Sequence, residues 1–326
     1  MAADGGKLDP MNPPLAPGTQ AIEARGLKRA YGPRLALDGF SLDVPVGSVF
    51  GLLGPNGSGK STFMAMLAAM ERPRAGTLRV FGQAPTASLR AHLGTVFQEP
   101  ALDPSMTALE SLVLAGRLFG LSRGAATDRA QGLLSRFGLG NRARDSVSTL
   151  SGGMRRRLEV VRALLHEPDL LLLDEPATGI DPDERRLLWQ SLLEGQDGRR
   201  TILLATNDLA EADAVADRVA FVRDGRVVAS GTPSALKRDL GREAVRVRWA
   251  TSADAEAAAS SNWEGCGTVT RDGEEVLFTV EQAASFVPQL FALAPPTIRS
   301  VSIEPSSLQD AYFQHVGERV RAEATA

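Results

Sequence analysis

The chain has 326 residues, 43% of them hydrophobic and 23% charged, enough for one large domain and a smaller companion. A net charge of −3 gives no basic field to recruit nucleic acid or anionic lipid, so no nucleic-acid partner is expected. One cysteine, Cys266, excludes an internal disulfide framework and fits a reducing compartment, and no apolar run reaches the length of a transmembrane helix. Residues 1–19 carry Pro10, Pro13, Pro14 and Pro17 and lack the basic start and apolar stretch of a signal peptide, so they read as a flexible tail. The expectation is a soluble intracellular protein that reaches a membrane only through a partner.

Residues 20–50 read as short strands with turns, and VFGLL (49–53) as a buried strand followed by a glycine-rich loop and an apolar helix over 61–70. Strand-like pieces follow at 77–81 and 93–97. From 104 to 148 the pattern is helical: TALE (107–110) has capping-box spacing, and a second helix runs from Ser122 to Phe137 and stops at Gly138. A third helix begins at Ser151, and strands return at 169–173, 201–205 and 218–222. Strands alternating with helices predict an α/β fold with a mostly parallel sheet. Beyond a boundary near 236–243, AVRVRWA (244–250) and EVLFTV (275–280) alternate with period two. With helices over 251–260 and 281–293, a weak strand at 266–270 and another at 297–303, the order is β-α-β-β-α-β, that of a small ferredoxin-like α+β domain. The expected organisation is a tail (1–19), a nucleotide-binding domain (20–235) with a helical subdomain (about 99–150), a C-terminal domain (243–318) and a second tail (319–326).

GPNGSGKST (54–62) satisfies G-x-x-x-x-G-K-[ST] through Gly54, Gly59, Lys60 and Ser61. Glycines let backbone N–H groups turn toward phosphate oxygens, and the following helix adds its positive end. Lys60 brings charge to the β- and γ-phosphates, and Ser61 is a candidate Mg2+ ligand. Asn56, Gly57, Ser58 and Thr62 complete the expected contact with ATP. At the end of a second apolar strand, DLLLLDEP (169–176) supplies Asp174 for the Mg2+ shell and Glu175 to polarise the attacking water.

LSGGMRRRLEVVRALLHEPDLLLLDEPATGIDP (150–182) resembles the ATP-binding cassette of ABC transporters, with Leu150–Gly153 in the place of the signature motif. The resemblance covers about residues 20–235. It implies an ABC-type P-loop ATPase with an antiparallel β subdomain and a helical subdomain, dimerising around two ATP. Ser151, Gly152 and Gly153 would meet a phosphate of ATP held by the opposite subunit. Tyr31 matches the aromatic that stacks on adenine, Gln98 the glutamine that touches Mg2+ and the water, and Asp181 the aspartate that communicates across the dimer. Asn207 stands where the family usually carries a histidine at the γ-phosphate; an amide donates a hydrogen bond but carries no positive charge and shuttles no proton. Arg155, Arg156 and Arg157 follow the signature, and at least two of them read as a solvated helix face.

SIEPSSLQDAYFQHVGERVR (302–321) and QEPALDP (98–104) resemble exporter ATPase subunits of the daunorubicin-resistance type. The implied function is an ATP-hydrolysing motor on the cytoplasmic face of the cell membrane, working with separate transmembrane permease subunits and a second ATPase subunit, in a homodimer or a heterodimer. The alternatives are a nucleotide-gated module with weak hydrolysis, resting on Asn207, and a soluble ABC ATPase outside transport. The last is disfavoured by a single cassette without sustained heptads or a strong basic patch.

Overall fold

A computed structural model describes residues 20–98, 101–194, 200–238, 243–293, 297–304 and 307–315; both expected tails lie outside them. The described chain divides into two compact units. One runs to Asp208 and includes Val215–Val227; the other comprises Leu209–Ala214 and the residues from Val228 onward. The division therefore falls earlier than the 236–243 read from sequence. A pair of bonds from Lys237 Nζ to the Asp213 carboxylate (2.8 and 3.0 Å) ties 209–214 to the later chain, and no local pattern announces such a link.

In the first unit β1 (Gln20–Tyr31) and β2 (Arg34–Pro45) form a long antiparallel hairpin, not a set of short strands. Register shifts, including one between Ala24 and Leu27, break the period-two pattern and made the strands look short in sequence. Gly32, at φ 59°, makes the turn between the paired Tyr31 and Arg34. After β3 (Val49–Leu53) and α1 (Lys60–Leu67), β4 (Ala75–Val80) returns to this hairpin, in the order β2-β1-β4.

The chain continues through β5 (Leu93–Val96), α2 (Ala108–Leu118), α3 (Arg123–Arg136), α4 (Gly152–Leu164), β6 (Leu170–Asp174), α5 (Pro182–Leu193), β7 (Thr201–Thr206), α6 (Leu209–Val215), β8 (Arg218–Arg223) and β9 (Arg226–Gly231). Thr107 caps α2 in a full capping box: its hydroxyl accepts from Glu110 N, and Glu110 accepts from Thr107 N. The six-stranded sheet has the order β5-β6-β7-β3-β8-β9, and the β5–β6, β6–β7, β7–β3 and β3–β8 pairs are parallel. Every residue of β3, β6 and β7 is buried, which explains their continuous apolar runs: a parallel strand covered on both faces has no polar side to alternate. The C-terminal ends of β5, β6, β7 and β3 lie side by side. They open into the loops at 97–98, 175–181, 207–208 and 54–59, where open α/β sheets hold their ligands.

In the second unit α7 (Pro233–Arg238) precedes β10 (Glu243–Trp249), α8 (Ser252–Ser260), β11 (Cys266–Asp272), β12 (Glu275–Val280), α9 (Ala283–Leu293) and β13 (Ile298–Glu304), and a further helix covers 308–315. The sheet is antiparallel, in the order β11-β12-β10-β13. Its element order is that of a split βαβ sandwich. Alternate residues Val245, Val247, Trp249, Val276, Phe278 and Val280 point into one core, where the rings of Trp263, Phe278 and Phe286 lie 5.2–5.6 Å apart, centroid to centroid.

Candidate functional site

The phosphate loop owes its shape to glycines with no room for a side chain. A Cβ on Gly54 would lie 2.2 Å from Val222 O, and one on Gly59, at φ 111°, 2.5 Å from Ala36 O. Gly59 is the residue from which α1 starts. Ser58 is buried; its N–H donates to Pro55 O, its carbonyl accepts from Gly225 N, and its hydroxyl has no hydrogen-bond partner. Lys60 is 5% exposed, and its Nζ donates to Gly54 O (2.7 Å) and Pro55 O (3.2 Å), closing the loop on itself. Burial pulls the Lys60 ammonium below the ordinary lysine pKa, opposed by the nearby Glu175 and Asp174 carboxylates. Asn56, Gly57 and Ser61 are exposed, and Thr62 is half-buried.

The end of β6 carries the two acids. Asp174 is buried, and its Oδ1 has no hydrogen-bond partner. Burial raises its pKa; the Ser61 hydroxyl works against that rise, Glu175 adds to it, and Lys60 and Arg156 oppose it. Glu175 is also buried, in the left-handed backbone region at φ 48°. Its N–H donates to Ala205 O (2.8 Å), and its Oε2 accepts from the Thr178 hydroxyl (3.2 Å). A non-glycine residue in that region is strained and persists only where its surroundings hold it.

The other sequence candidates take these places. Gln98, just past β5, is exposed and shares a cleft of about 420 Å3 with Gly152, Arg156, Glu175 and Thr178. Asn207, also exposed, donates from Nδ2 to Asn56 Oδ1 at 3.4 Å, so the loop after β7 touches the phosphate loop. Beside it Asp208 accepts from Arg185 Nη1 at 2.6 Å. Tyr31 is 45% exposed at the end of β1, with the Arg29 guanidinium 5.0 Å from its ring centroid. Ser151 and Asp181 use their side chains as helix caps: Ser151 Oγ accepts from Met154 N, and Asp181 Oδ1 from Asp183 N and Glu184 N. Gly152 is exposed and Gly153 buried at the start of α4.

The arginines after the signature differ from expectation. Arg155 alone is exposed. Arg157 is buried, donating to Phe137 O (2.8 Å) and pairing with Glu184 (2.6 Å). Arg156 has a side chain only 10% exposed and joins α4 to the loops after β5 and β6. A solvated face was the wrong reading because α4 is packed on two sides, and the carbonyls it meets come from distant segments. Sequence reasoning also missed Arg34, whose Nη2 donates to Gly57 O (3.1 Å) of the phosphate loop, and Thr178 on Glu175. Neither carries a motif of its own. The spacing Arg156–Glu159 was the one local signal for a side chain held in place.

Comparison with known proteins gives the family. A family model described as ABC transporter matches residues 37–178. The daunorubicin/doxorubicin resistance ATP-binding protein of Streptomyces peucetius is 39% identical over 307 residues, covering 92% of this chain and 93% of that protein. The Nod factor export ATP-binding protein I of Ralstonia nicotianae is 36% identical, covering 94% and 98%. A dimeric post-hydrolysis structure of an ATP-binding cassette bound to ADP and Pi superposes with a TM-score of 0.59 at 26% identity, covering 65% of this chain and 98% of that one. With loop, acids and signature in one fold and such relatives along its length, this chain belongs to the ATP-binding ATPase subunits of ABC transporters.

Proposed function

We propose that this protein is the motor of an ABC exporter, a peripheral subunit on the cytoplasmic face of the membrane that closes as a dimer around two ATP and drives separate transmembrane permease subunits. One observation carries the reading: the ends of β6 and β3, one strand apart in the sheet, bring the buried Asp174 and Glu175 within electrostatic reach of Lys60 in the phosphate loop. Export is supported by relatives named for drug resistance and Nod factor export. Dimer formation is supported by the dimeric cassette with ADP and Pi. The second subunit is either another copy or a related chain.

The residues divide the work as follows. Backbone N–H groups of 57–62 and the Lys60 ammonium hold the β- and γ-phosphates of ATP. Tyr31, backed by Arg29, stacks on adenine. Ser61, Gln98 and Asp174 offer only oxygen donors, which suits Mg2+, and the buried Asp174 Oδ1 is an acceptor left open for it. Bound there, Mg2+ would neutralise phosphate charge. Glu175, oriented by Thr178, accepts a proton from the attacking water. Asn207 holds the γ-phosphate side through a neutral amide, and Ser151–Gly153 and Asp181 face the partner's nucleotide. Glu175→Gln in the full-length chain should lower ATPase turnover by about 10²-fold or more. With ATP and Mg2+ it should elute as a nucleotide-bound dimer in size exclusion with light scattering. Unchanged turnover in the variant would remove Glu175 from the reaction.

A second reading, a nucleotide-gated module with weak hydrolysis, draws on the hydrogen bond from Asn207 to Asn56, a contact between neutral groups where the family usually has a histidine.

A further inference from the structure

The signature helix of this chain holds its own catalytic loops through one side chain. A guanidinium has five N–H donors, and all five of Arg156 are engaged. Nη1 donates to Phe97 O (2.7 Å) and Glu159 Oε2 (2.8 Å). Nη2 donates to Asp174 O (2.6 Å) and Glu175 O (3.0 Å), and Nε donates to Pro176 O (3.1 Å). Phe97 immediately precedes Gln98, so these carbonyls belong to the two backbone turns that present Gln98 and Glu175. Glu159, one turn along the same helix and itself buried, supplies the countercharge and fixes the rotamer.

A second observation points the same way. Glu175 sits in strained left-handed backbone, with its N–H tied to Ala205 O and its carbonyl to Arg156. Arg156 is therefore one of three groups, with Ala205 O and the Thr178 N–H (3.3 Å to Glu175 O), that hold the Glu175 backbone in that conformation, and the one that comes from α4. Resting on the function proposed above, we infer that Arg156 is a positioning residue: it sets the backbone that aims Glu175 and Gln98, and it links displacement of α4 to the catalytic glutamate of the same subunit. Glu159 is its anchor. Arg156 acts through these residues and makes no contact with the reacting atoms itself. A lysine, with three donors on one point charge, cannot span carbonyls from two loops in the same way.

The test uses the full-length chain and ATP. Arg156→Lys should lower kcat by about 10- to 100-fold, the scale of a small misplacement of a catalytic group. KM and equilibrium affinity for ATP should stay within about three-fold, because the phosphate loop is not touched. Glu159→Gln keeps the guanidinium but loosens it, and should show a smaller loss with the same split; it serves alone if Arg156→Lys does not fold. In a Glu175→Gln background, Arg156→Lys should remove less than about two-fold further, since both changes act through one group. Proportional loss of kcat and ATP affinity, or full additivity with Glu175→Gln, overturns the inference and leaves Arg156 a structural strut. An unaltered chain without turnover would count against the proposed function and not against this linkage. The linkage would then be read from hydrogen exchange, where Arg156→Lys must accelerate exchange of the Glu175 amide and an unchanged rate refutes it.

Discussion

Between Lys60 and Glu175 the protein buries ionisable side chains: Lys60, Arg157, Glu159, Asp174 and Glu175. Among the described residues from 243 to 304, no buried side chain is charged, and the core is built from Val245, Val247, Trp249, Trp263, Phe278 and Phe286. The charges of that stretch lie on its surface, as in Arg248–Glu275 (3.4 Å) and Arg299–Glu274 (3.9 Å). Both regions are strand-and-helix sandwiches, so the contrast does not come from secondary structure. A buried charge opposes folding by several kcal/mol unless it is paired and hydrogen-bonded. The nucleotide-binding unit accepts that penalty where, on the function proposed above, a triphosphate is gripped and a water polarised. The stretch 243–304 shows the ordinary economy of an apolar core with solvated ion pairs, which add little.

The contrast can be broken from either side. Lys60→Ala should give the largest effect, a loss of ATPase activity of about 10³-fold or more through lost phosphate stabilisation. Circular dichroism and the fluorescence of Trp249 and Trp263 should be unchanged, and loss of that signal would show that the effect of the change is not confined to the phosphate loop. Phe278→Ala should do the reverse. It removes the ring packed between Trp263 and Phe286 and should destabilise its unit by about 3–5 kcal/mol in denaturant unfolding. ATP binding to the unaltered phosphate loop should persist; its loss would mean that the C-terminal core supports the nucleotide site. Asn207→His should be the mildest change, keeping ATPase activity or raising it by up to about ten-fold, because a histidine can add charge or carry a proton where the amide cannot. A tenfold fall would mean that the Asn207–Asn56 hydrogen bond is a required part of this site and not a handicap.

Much of the fold was legible because its signals are local. Alternation along 244–250 and 275–280 marked half-buried strands, and the unbroken apolar run 170–173 marked a strand covered on both faces. Thr107 with Glu110, and Gly138 after Phe137, marked helix ends where the structure has them. The β1–β2 hairpin was underestimated because its bulges interrupt the alternation from which strand length is read. The passage of 209–214 into the C-terminal unit was invisible, since contacts such as the Lys237–Asp213 ion pair span 24 residues.

By itself the sequence determined the phosphate loop, the Asp174–Glu175 pair and the signature at the start of α4. Each is a run of adjacent residues whose conformational needs, glycine torsions and helix caps, are met within a few positions. It also raised the expectation, through the family resemblance, that Asn207 stands in place of a histidine. Only the tertiary structure decided which of the three arginines after the signature is solvated, that Arg34 rests on Gly57, and that Arg156 binds carbonyls 18 to 59 residues away. The reason is physical. A buried guanidinium finds its partners wherever folding leaves carbonyls unpaired, and the sheet order that gathers those carbonyls is a property of the packed chain, not of any short stretch of it.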